Sequence, residues 1–328
     1  MGELWVVAEP GPDGGLANIS AEVATLARGL AESTGREVVG IVISAEPQGA
    51  AEQLAAYVSR VLAVTSPAVA DHAWAAHAAA SVASLLEGAS TPPDAILVGA
   101  GPDGRDLAGA LSATTGFGVL TNATAVTWTD EGAAVEMSVF GGKLVTTSAF
   151  TGGRGIITVR PNVVTAEAAG NAGTVEPGQV PGGEPVVPEV RVVERVSEAG
   201  AAAPIEEARI IVAGGRGIGG PDGFTLVEQL AEALGGAVGA TRAAVDSGWI
   251  GYSQQIGQTG KIVKPELYLA LGISGAIQHK VGMQTAGSIV AINRDPDAPI
   301  AEFADLLVVG DLFEVGKALL EQLRGRSG

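Results

Sequence analysis

Short runs of aliphatic and β-branched residues alternate with longer Ala- and Leu-rich segments in the first third of the chain. The short runs predict strands, and the longer segments predict helices. Strands and helices in this order are typical of a mostly parallel sheet with helices on both faces. The predicted strands are Leu4–Ala8, Val38–Ser44, Val61–Thr65 and Ala95–Gly99, and the predicted helices are Ile19–Ala31, Gln48–Tyr57, Asp71–Leu86 and Asp103–Ala113.

The pattern changes after Gly118, where short apolar runs are separated by Gly-containing turns. We expect antiparallel hairpins added to the parallel core. Beyond Asn162 the chain becomes rich in Pro, Gly and Glu, which predicts a linker with one strand at Val190–Val196. The strands expected in the hairpins are Thr124–Thr129, Ala134–Val139, Lys143–Ala149 and Gly155–Arg160.

Strand-like and helix-like segments alternate again from about residue 205, which predicts a second α/β unit with an open parallel sheet. An irregular loop from Val245 to Lys264 interrupts this pattern. The sequence therefore predicts two domains, residues 1–197 including the linker and residues 205–328. The strands expected in the second domain are Arg209–Ala213, Ala237–Ala240, Glu266–Gly272, Ser288–Asn293 and Ala304–Gly310, and the helices are Asp222–Leu234, Gly275–Val281 and Leu312–Gln322.

Charge and composition exclude several classes of protein. The net charge is −17, which argues against binding nucleic acid or an anionic membrane surface. Residues 1–204 hold 22 acids against 9 Lys and Arg, whereas residues 205–328 hold 14 against 10, so we expect any bound anion in the second half. The absence of cysteine removes disulfides, thiolate nucleophiles and Cys-ligated metals. We see no secretory signal and no apolar run of membrane-spanning length, and we expect a cytoplasmic protein.

A glycine motif follows the first strand of the second domain. In "IIVAGGRGIGG", Gly215, Gly217 and Gly220 match the G-x-G-x-x-G pattern that brings backbone N–H groups to a pyrophosphate. The same glycines would also suit a tight turn without a ligand. The acid that binds a nicotinamide nucleotide ribose is missing, since the next strand ends in Thr241 and Arg242. This argues against an ordinary NAD-dependent dehydrogenase.

Two further stretches offer groups that suit a ligand. The loop "GATRAAVDSGWIGYSQQIGQTGKIV" is long for a compact domain and carries donors of the kind that bind the edge of a heteroaromatic ring. In "LYLALGISGAIQH", a buried strand leads into a helix with Ser274 as the expected N-cap and His279 in its first turns. A mobile surface loop and a core histidine are the alternatives. All three stretches follow strands, and open α/β sheets bind ligands at the carboxyl ends of their strands.

These residues resemble a known family. The segment "PELYLALGISGAIQHKVGMQTAGSIVAINRDPDAPI" resembles the signature segment of the electron transfer flavoprotein α-subunit family, and "GATRAAVDSGW" and "IGQTGKIVKPELY" resemble the stretch before it. "GGRGI" and "ADLLVVGDLFEV" match the flanks. The resemblance is specific over roughly residues 209–323 and looser over residues 1–160, where "GRDLAGALSATTGFGVLTNAT" is the best local match.

The resemblance implies a redox carrier and not an enzyme with a substrate of its own. It implies an N-terminal domain of the nucleotide-hydrolase-like α/β fold that packs on a β subunit, and a C-terminal domain that binds FAD. Electrons would come from acyl-CoA and related dehydrogenases, as in fatty acid β-oxidation, and pass to a membrane quinone oxidoreductase or another acceptor. Two departures are a Thr at 241, where the family often has Ser, and "GYSQQ" in place of a Pro-Asn step.

The resemblance also implies roles for individual residues of the second domain. Arg216 and Thr241 would lie near phosphate, and Arg242 would lie against the isoalloxazine ring. Thr259 would lie near the flavin N5 and His279 near its C2 carbonyl, where a donor or cation would stabilise the negative charge of a reduced ring. The other implied contacts are Ile256, Gly257 and Gln258 along the flavin, Ser274, Gly275, Ala276, Ile277 and Gln278 at the pyrophosphate and ring, and Asn293, Asp311 and Leu312 at the adenosine end.

Two other functions remain open from the sequence. An NAD- or FAD-using enzyme on the same second domain would need a general base or a substrate pocket. A nucleotide sensor built on the first half is weak, because its strand-to-helix turns show no phosphate loop. His72 and His77 are five residues apart on a predicted helix, a poor geometry for a shared metal, and we interpret them as structural.

Overall fold

The computed structural model describes residues 2–11, 14–140, 144–180, 190–194 and 205–326. The chain divides into two compact units, the first within residues 1–196 and the second mainly within residues 197–328. Both units are α/β, as the sequence predicts. Within the ranges given above, no helix combines the length and the apolar character needed to cross a bilayer.

The first unit contains a nine-stranded sheet in the order β7-β6-β5-β8-β4-β1-β2-β3-β9. Apolar side chains of the central strands, such as Leu4 and Leu97 on one face and Ile41 and Ile96 on the other, are fully buried under the helices. The strands are β1 Glu3–Ala8, β2 Glu37–Ser44, β3 Arg60–Thr65, β4 Ala95–Gly99, β5 Gly118–Thr129, β6 Gly132–Val139, β7 Leu144–Ala149, β8 Gly155–Val159 and β9 Thr174–Pro177. The helices are α1 Asn18–Thr34, α2 Gln48–Leu54, α3 Trp74–Gly88 and α4 Pro102–Thr115, with a 3₁₀ turn at Pro67–Ala70.

The predicted hairpins are confirmed for three strands and wrong for the fourth. Strands β5, β6 and β7 pair antiparallel, as expected. Strand β8 instead runs parallel between β4 and β5. All five of its residues, GIITV, are buried. A strand covered on both faces belongs inside a parallel sheet and not in a solvated hairpin.

The predicted linker also contains structure that the sequence did not indicate. Residues Thr174–Pro177 form β9, which extends the sheet by pairing parallel with β3. Only Val175 of this short edge strand packs on the core, so its apolar pattern is too brief to recognise. The strand predicted at Val190–Val196 is absent from the described residues 190–194, where Arg191 forms an isolated bridge with His72. The rest of it lies outside the described residues.

The second unit contains a six-stranded parallel sheet in the order β12-β11-β10-β13-β14-β15. This is the strand order of dinucleotide-binding sheets, and it reverses direction between β10 and β13. Leu230 and Leu271 lie in the core on one face, and Ile211 and Tyr268 lie in the core on the other. The strands are β10 Ile210–Gly214, β11 Ala237–Thr241, β12 Gln255–Ile256, β13 Leu267–Leu271, β14 Ser288–Asn293 and β15 Leu306–Val309. The helices are α5 Phe224–Leu234, α6 Arg242–Asp246, α7 Ile277–Met283 and α8 Leu312–Arg326.

Two local predictions for this unit need correction. The stretch Val245–Lys264 is not wholly irregular, because it contains β12, which pairs with β11. Ser274 is not an N-cap, because α7 begins at Ile277 and its N-cap is Ala276. Gly275 has φ +83°, so the chain turns there before the helix can start.

The glycine motif follows β10, at the point where the strand order reverses between β10 and β13. The N–H groups of Gly215 and Gly217 donate to the carbonyls of Leu271 and Gly272 over 2.9 Å each. A Cβ on Gly217 would lie 2.7 Å from the Cα of Gly272, so the two backbones cross in contact. The motif therefore serves close chain crossing, and the expectation that these two N–H groups bind pyrophosphate is wrong.

Gly217→Ala should lower the free energy of unfolding by about 2 kcal/mol, because the new methyl group meets backbone atoms that cannot rotate away. Gly220→Ala is the matched control, since a Cβ there meets no atom within 4 Å and its φ of 167° is extended. Urea denaturation of the full chain measures both. Equal stability of the two variants would show that the crossing is not tight.

Candidate functional site

A cavity of about 750 Å³ opens at the carboxyl edge of the second sheet. It is formed by the segments that follow five consecutive strands, β10 to β14, and its volume is within the range of roughly 300–1,000 Å³ that is common for ligand sites. Twelve of the sixteen predicted site residues line it. They are Arg216, Thr241, Arg242, Ile256, Gly257, Gln258, Thr259, Ser274, Ala276, Gln278, His279 and Asn293.

The other four predicted residues do not line the cavity. Gly275 is packed against the backbone of Ile300, and Ile277 is 75% exposed. Asp311 caps α8 by accepting hydrogen bonds from the N–H groups of Phe313 and Glu314, and Leu312 is buried in the core. Contact of these four residues with a cofactor stays a prediction.

Sequence reasoning missed eight lining residues and named a ninth, Gly217, only as part of the glycine motif. Several come from the segment after β14, where "NRDPDAP" was recognised only as part of the family signature. The rule that ligands meet the carboxyl ends of strands could have found this segment, since it follows a predicted strand directly. The missed residues are Ala243, Asp246, Gly272, Ile273, Arg294, Asp295, Ala298 and Pro299.

The charges around the cavity favour an anion. Arg216, Arg242 and Arg294 line it together with Asp246 and Asp295. Arg242 Nε donates to Asp246 Oδ2 over 3.2 Å, one turn along α6. Both side chains of this pair are more than half exposed, so solvent screens their attraction. The cavity thus has a small excess of positive charge in a strongly acidic chain.

A hydroxyl group at the cavity has no partner within the described part of the chain. The Oγ1 of Thr241 is buried at the end of β11 and makes no hydrogen bond there. A buried hydroxyl without a partner is costly, and a ligand oxygen would satisfy it. Thr241 lines the same cavity as the three arginines, so the site presents one hydroxyl and several cations to a phosphorylated ligand.

The segment Gln255–Lys261 is held as a compact turn beside the cavity. The N–H of Lys261 donates to the carbonyl of Gln255 over 2.7 Å, and the N–H of Gly257 donates to the carbonyl of Lys261 over 3.1 Å. The carbonyl of Thr259 accepts from Gln255 Nε2 and from the hydroxyl of Tyr252. The turn is therefore ordered by its own contacts, which argues against the mobile-loop interpretation.

His279 is buried at the base of the cavity. Its Nδ1 lies 3.0 Å from the carbonyl oxygen of Ile256, and its Nε2 lies 2.9 Å from the hydroxyl of Tyr268. Burial lowers the pKa of His279 to about 4, although the bond to Ile256 acts in the opposite direction. The ring is therefore neutral at pH 7, and both nitrogens already have partners. Contact of His279 with the flavin C2 carbonyl stays a prediction, and the Nδ1–H of the ring is occupied by the carbonyl of Ile256 in the structure.

The remaining histidines lie in the first unit, away from this cavity. His72 and His77 meet edge to face with ring centroids 5.3 Å apart. Both ring nitrogens of His77 are buried without a hydrogen bond in the described structure. No cluster of three metal-ligating side chains occurs in the part of the chain that the structure describes.

Comparison with known proteins decides the family. Residues 4–182 match the electron transfer flavoprotein domain, and residues 204–284 match the electron transfer flavoprotein FAD-binding domain. The chain belongs to the electron transfer flavoprotein α-subunit family. Full-length similarity supports this, because the α subunit of Mycobacterium leprae is 41% identical over 329 residues and that of Mycobacterium tuberculosis is 42% identical over 328, each covering 100% of both chains. The α subunit of Bacillus subtilis is 36% identical and covers 99% of this chain and 98% of its own.

The cofactor of this electron transfer flavoprotein subunit is FAD, and the cavity fits it. Much of its lining comes from residues 204–284, the segment that matches the FAD-binding domain. The unpartnered hydroxyl of Thr241 and the guanidinium groups of Arg216 and Arg294 suit the phosphates of a dinucleotide. The turn at Gly257–Thr259 lines the same cavity.

Acid should destabilise the second unit through His279. Since its pKa is lowered in the folded chain, the unfolded chain binds the extra proton between pH 6.5 and 4. Its contribution, on the order of 3 kcal/mol, is complete above pH 6.5 and is lost as the pH falls towards 4. His279→Gln should flatten this part of the pH profile of the unfolding free energy, measured by urea denaturation. His72→Gln is the control, and an unchanged slope in His279→Gln would contradict the assignment.

Proposed function

We propose that this chain is the α subunit of a heterodimeric electron carrier. It accepts electrons from acyl-CoA and related dehydrogenases and delivers them to a membrane quinone oxidoreductase or another acceptor. Family membership supports the carrier role, since the relatives are named electron transfer flavoproteins. The donor and acceptor classes come from the family resemblance of the signature segment.

The observation that carries the proposal is the composition of the cavity. FAD, when bound, supplies all of the redox chemistry. The protein side contributes cations and hydrogen-bond donors, but no poised acid–base pair within the described lining. His279 is neutral with both nitrogens engaged, and Asp246 is paired with Arg242. Such a site binds and orients a cofactor and has little means to activate a substrate.

Individual residues have distinct tasks in this proposal. Arg216 and Arg294 bind the phosphates, and the hydroxyl of Thr241 donates to a phosphate oxygen. Arg242 lies over the ring, where its charge favours the reduced cofactor. The turn at Gly257–Thr259 would face the edge of the ring, where the side chains of Gln258 and Thr259 would donate to it.

The first unit offers a surface for a β subunit. Strand β7 is an edge strand whose sequence, LVTTSA, carries no charge. Leu144 and Val145 are 54% and 64% exposed on it. Exposed edges of this kind invite pairing with another chain unless they are protected. We include in the proposal that the domain at residues 1–197 packs on the β subunit, and that the domain at residues 205–328 binds FAD.

The test is electron transfer by the heterodimer. Co-expressed with its β subunit, the chain should give a yellow complex, and an acyl-CoA dehydrogenase with its substrate should bleach the flavin absorbance without oxygen. A quinone oxidoreductase should restore it. Arg242→Gln should raise the dissociation constant of FAD about tenfold, because the guanidinium stacked over the ring is lost.

Arg209→Gln is the matched control for Arg242→Gln. Arg209 precedes β10 at the opposite edge of the same sheet, where it forms an exposed pair with Glu266 at 2.7 Å. Its replacement should leave FAD affinity unchanged. A colourless complex that turns over NAD would contradict the carrier function and favour the enzyme.

A further inference from the structure

Three groups form a continuous hydrogen-bonded chain beneath the cavity. The hydroxyl of Tyr268 lies 2.9 Å from Nε2 of His279, and Nδ1 of His279 lies 3.0 Å from the carbonyl oxygen of Ile256. Tyr268 is fully buried and His279 is 6% exposed, so water has little access to either group. The chain links β13, α7 and β12, three elements that surround the cavity.

The positions of the protons follow from the acceptor at one end. A carbonyl oxygen only accepts, so Nδ1 of His279 must carry a hydrogen. Nε2 then holds a lone pair, and the hydroxyl of Tyr268 donates to it. A second proton on the ring would leave the Tyr268 hydroxyl hydrogen without an acceptor in a dry environment. Burial raises the pKa of Tyr268 and lowers that of His279 to about 4, in agreement with a neutral pair.

The end of this chain lies in the segment that lines the cavity. Ile256, which accepts from His279, starts the run Ile256–Thr259. The same run touches α7 at two further points. Gln258 N–H donates to the carbonyl of Gln278 over 2.7 Å, and the backbone of Gly257 packs directly on Gly282. His279 adds a side-chain hydrogen bond to these backbone contacts between the run and α7.

The hydroxyl of Tyr268 has no role in packing the core. Tyr268 lies in β13, and its ring belongs to a core that also contains Ile211, Met283 and Ile289. A Phe ring would fill the same volume there. Burying a hydroxyl is unfavourable unless it is hydrogen-bonded. Its single partner in the described structure is His279.

We propose that Tyr268 is a positioning residue of the FAD site. Its hydroxyl donates to Nε2 and holds the ring of His279 in place, and the Nδ1–H of His279 in turn holds the carbonyl of Ile256 and the Ile256–Thr259 run against α7. The proposal for Tyr268 rests on the proposed function in one respect, which is that the cavity binds the flavin. Tyr268 touches no cofactor atom in this account and acts through His279.

Tyr268→Phe in the FAD-loaded heterodimer tests the proposal. The chain holds only three histidines, so ¹⁵N-histidine labelling of the α subunit in a complex with unlabelled β subunit gives few ring signals, and His279→Gln assigns the one concerned. In the wild type, the Nε2 signal of His279 should be that of a nitrogen that accepts a hydrogen bond. Tyr268→Phe should shift this signal, because the lone pair of Nε2 loses its donor, and should weaken FAD binding roughly fivefold to tenfold, as expected when one buried hydrogen bond is lost.

Tyr57→Phe is the matched control, because Tyr57 packs on the core of the first unit and its hydroxyl makes no hydrogen bond among the described residues. It should change neither the ring signals nor FAD affinity. If Tyr268→Phe shifts the Nε2 signal but binds FAD as tightly as the wild type, the positioning role is overturned. Failure of electron transfer in the wild type would overturn the proposed function and leave this result standing.

A second pair of variants decides the matter if Tyr268→Phe does not fold. The amide of His279→Asn sits where Nδ1 does and can donate to Ile256, whereas the amide of His279→Gln reaches the place of Nε2 and can accept from Tyr268. Because the bond to Ile256 holds the run, His279→Asn should retain FAD several times more tightly than His279→Gln. The reverse order would contradict the proposal.

Discussion

The contact between the backbones of Gly217 and Gly272 is the constraint on which the second unit depends. It lies where the strand order reverses between β10 and β13, and it lets the segments after these strands separate immediately beyond the crossing. The space between the diverging segments is the cavity. A side chain at either position would push the strands apart. The shape of the site therefore depends on Gly217 and Gly272, which have no side chains.

The polar groups around the cavity fall into two sets. The arginines and Thr241 line the cavity, and the hydroxyl of Thr241 has no hydrogen-bond partner among the described residues. Tyr268 and His279 hydrogen-bond to groups inside the protein and stabilise the Ile256–Thr259 run beside the cavity. A charged His279 would serve the electrostatics of a reduced ring but would break the internal chain. The structure keeps the histidine neutral and assigns the positive charge to guanidinium groups, which stay ionised at any physiological pH.

The sequence predicted the alternating elements and most of the cavity, because periodicity and strand ends are local properties. It failed where the outcome depends on distant partners. The buried strand β8 looks like a hairpin arm until β4 and β5 enclose it. The glycine motif correctly marked a segment at the cavity, but the contact that requires its glycine could not be read from the sequence. Only the fold brings Gly272 to Gly217. The state of His279 depends on Tyr268 and on Ile256, which lies 23 residues away.

Photoaffinity labelling of the native heterodimer with an azido derivative of FAD, followed by mass spectrometry of the labelled peptides, tests the central claim most directly. The cavity is formed by the segments that follow β10 to β14, so the labelled α-subunit peptides should come from residues 216–299. Excess FAD should remove this labelling. Specific labelling of the first unit, within residues 2–180, with none beyond residue 205, would contradict the account.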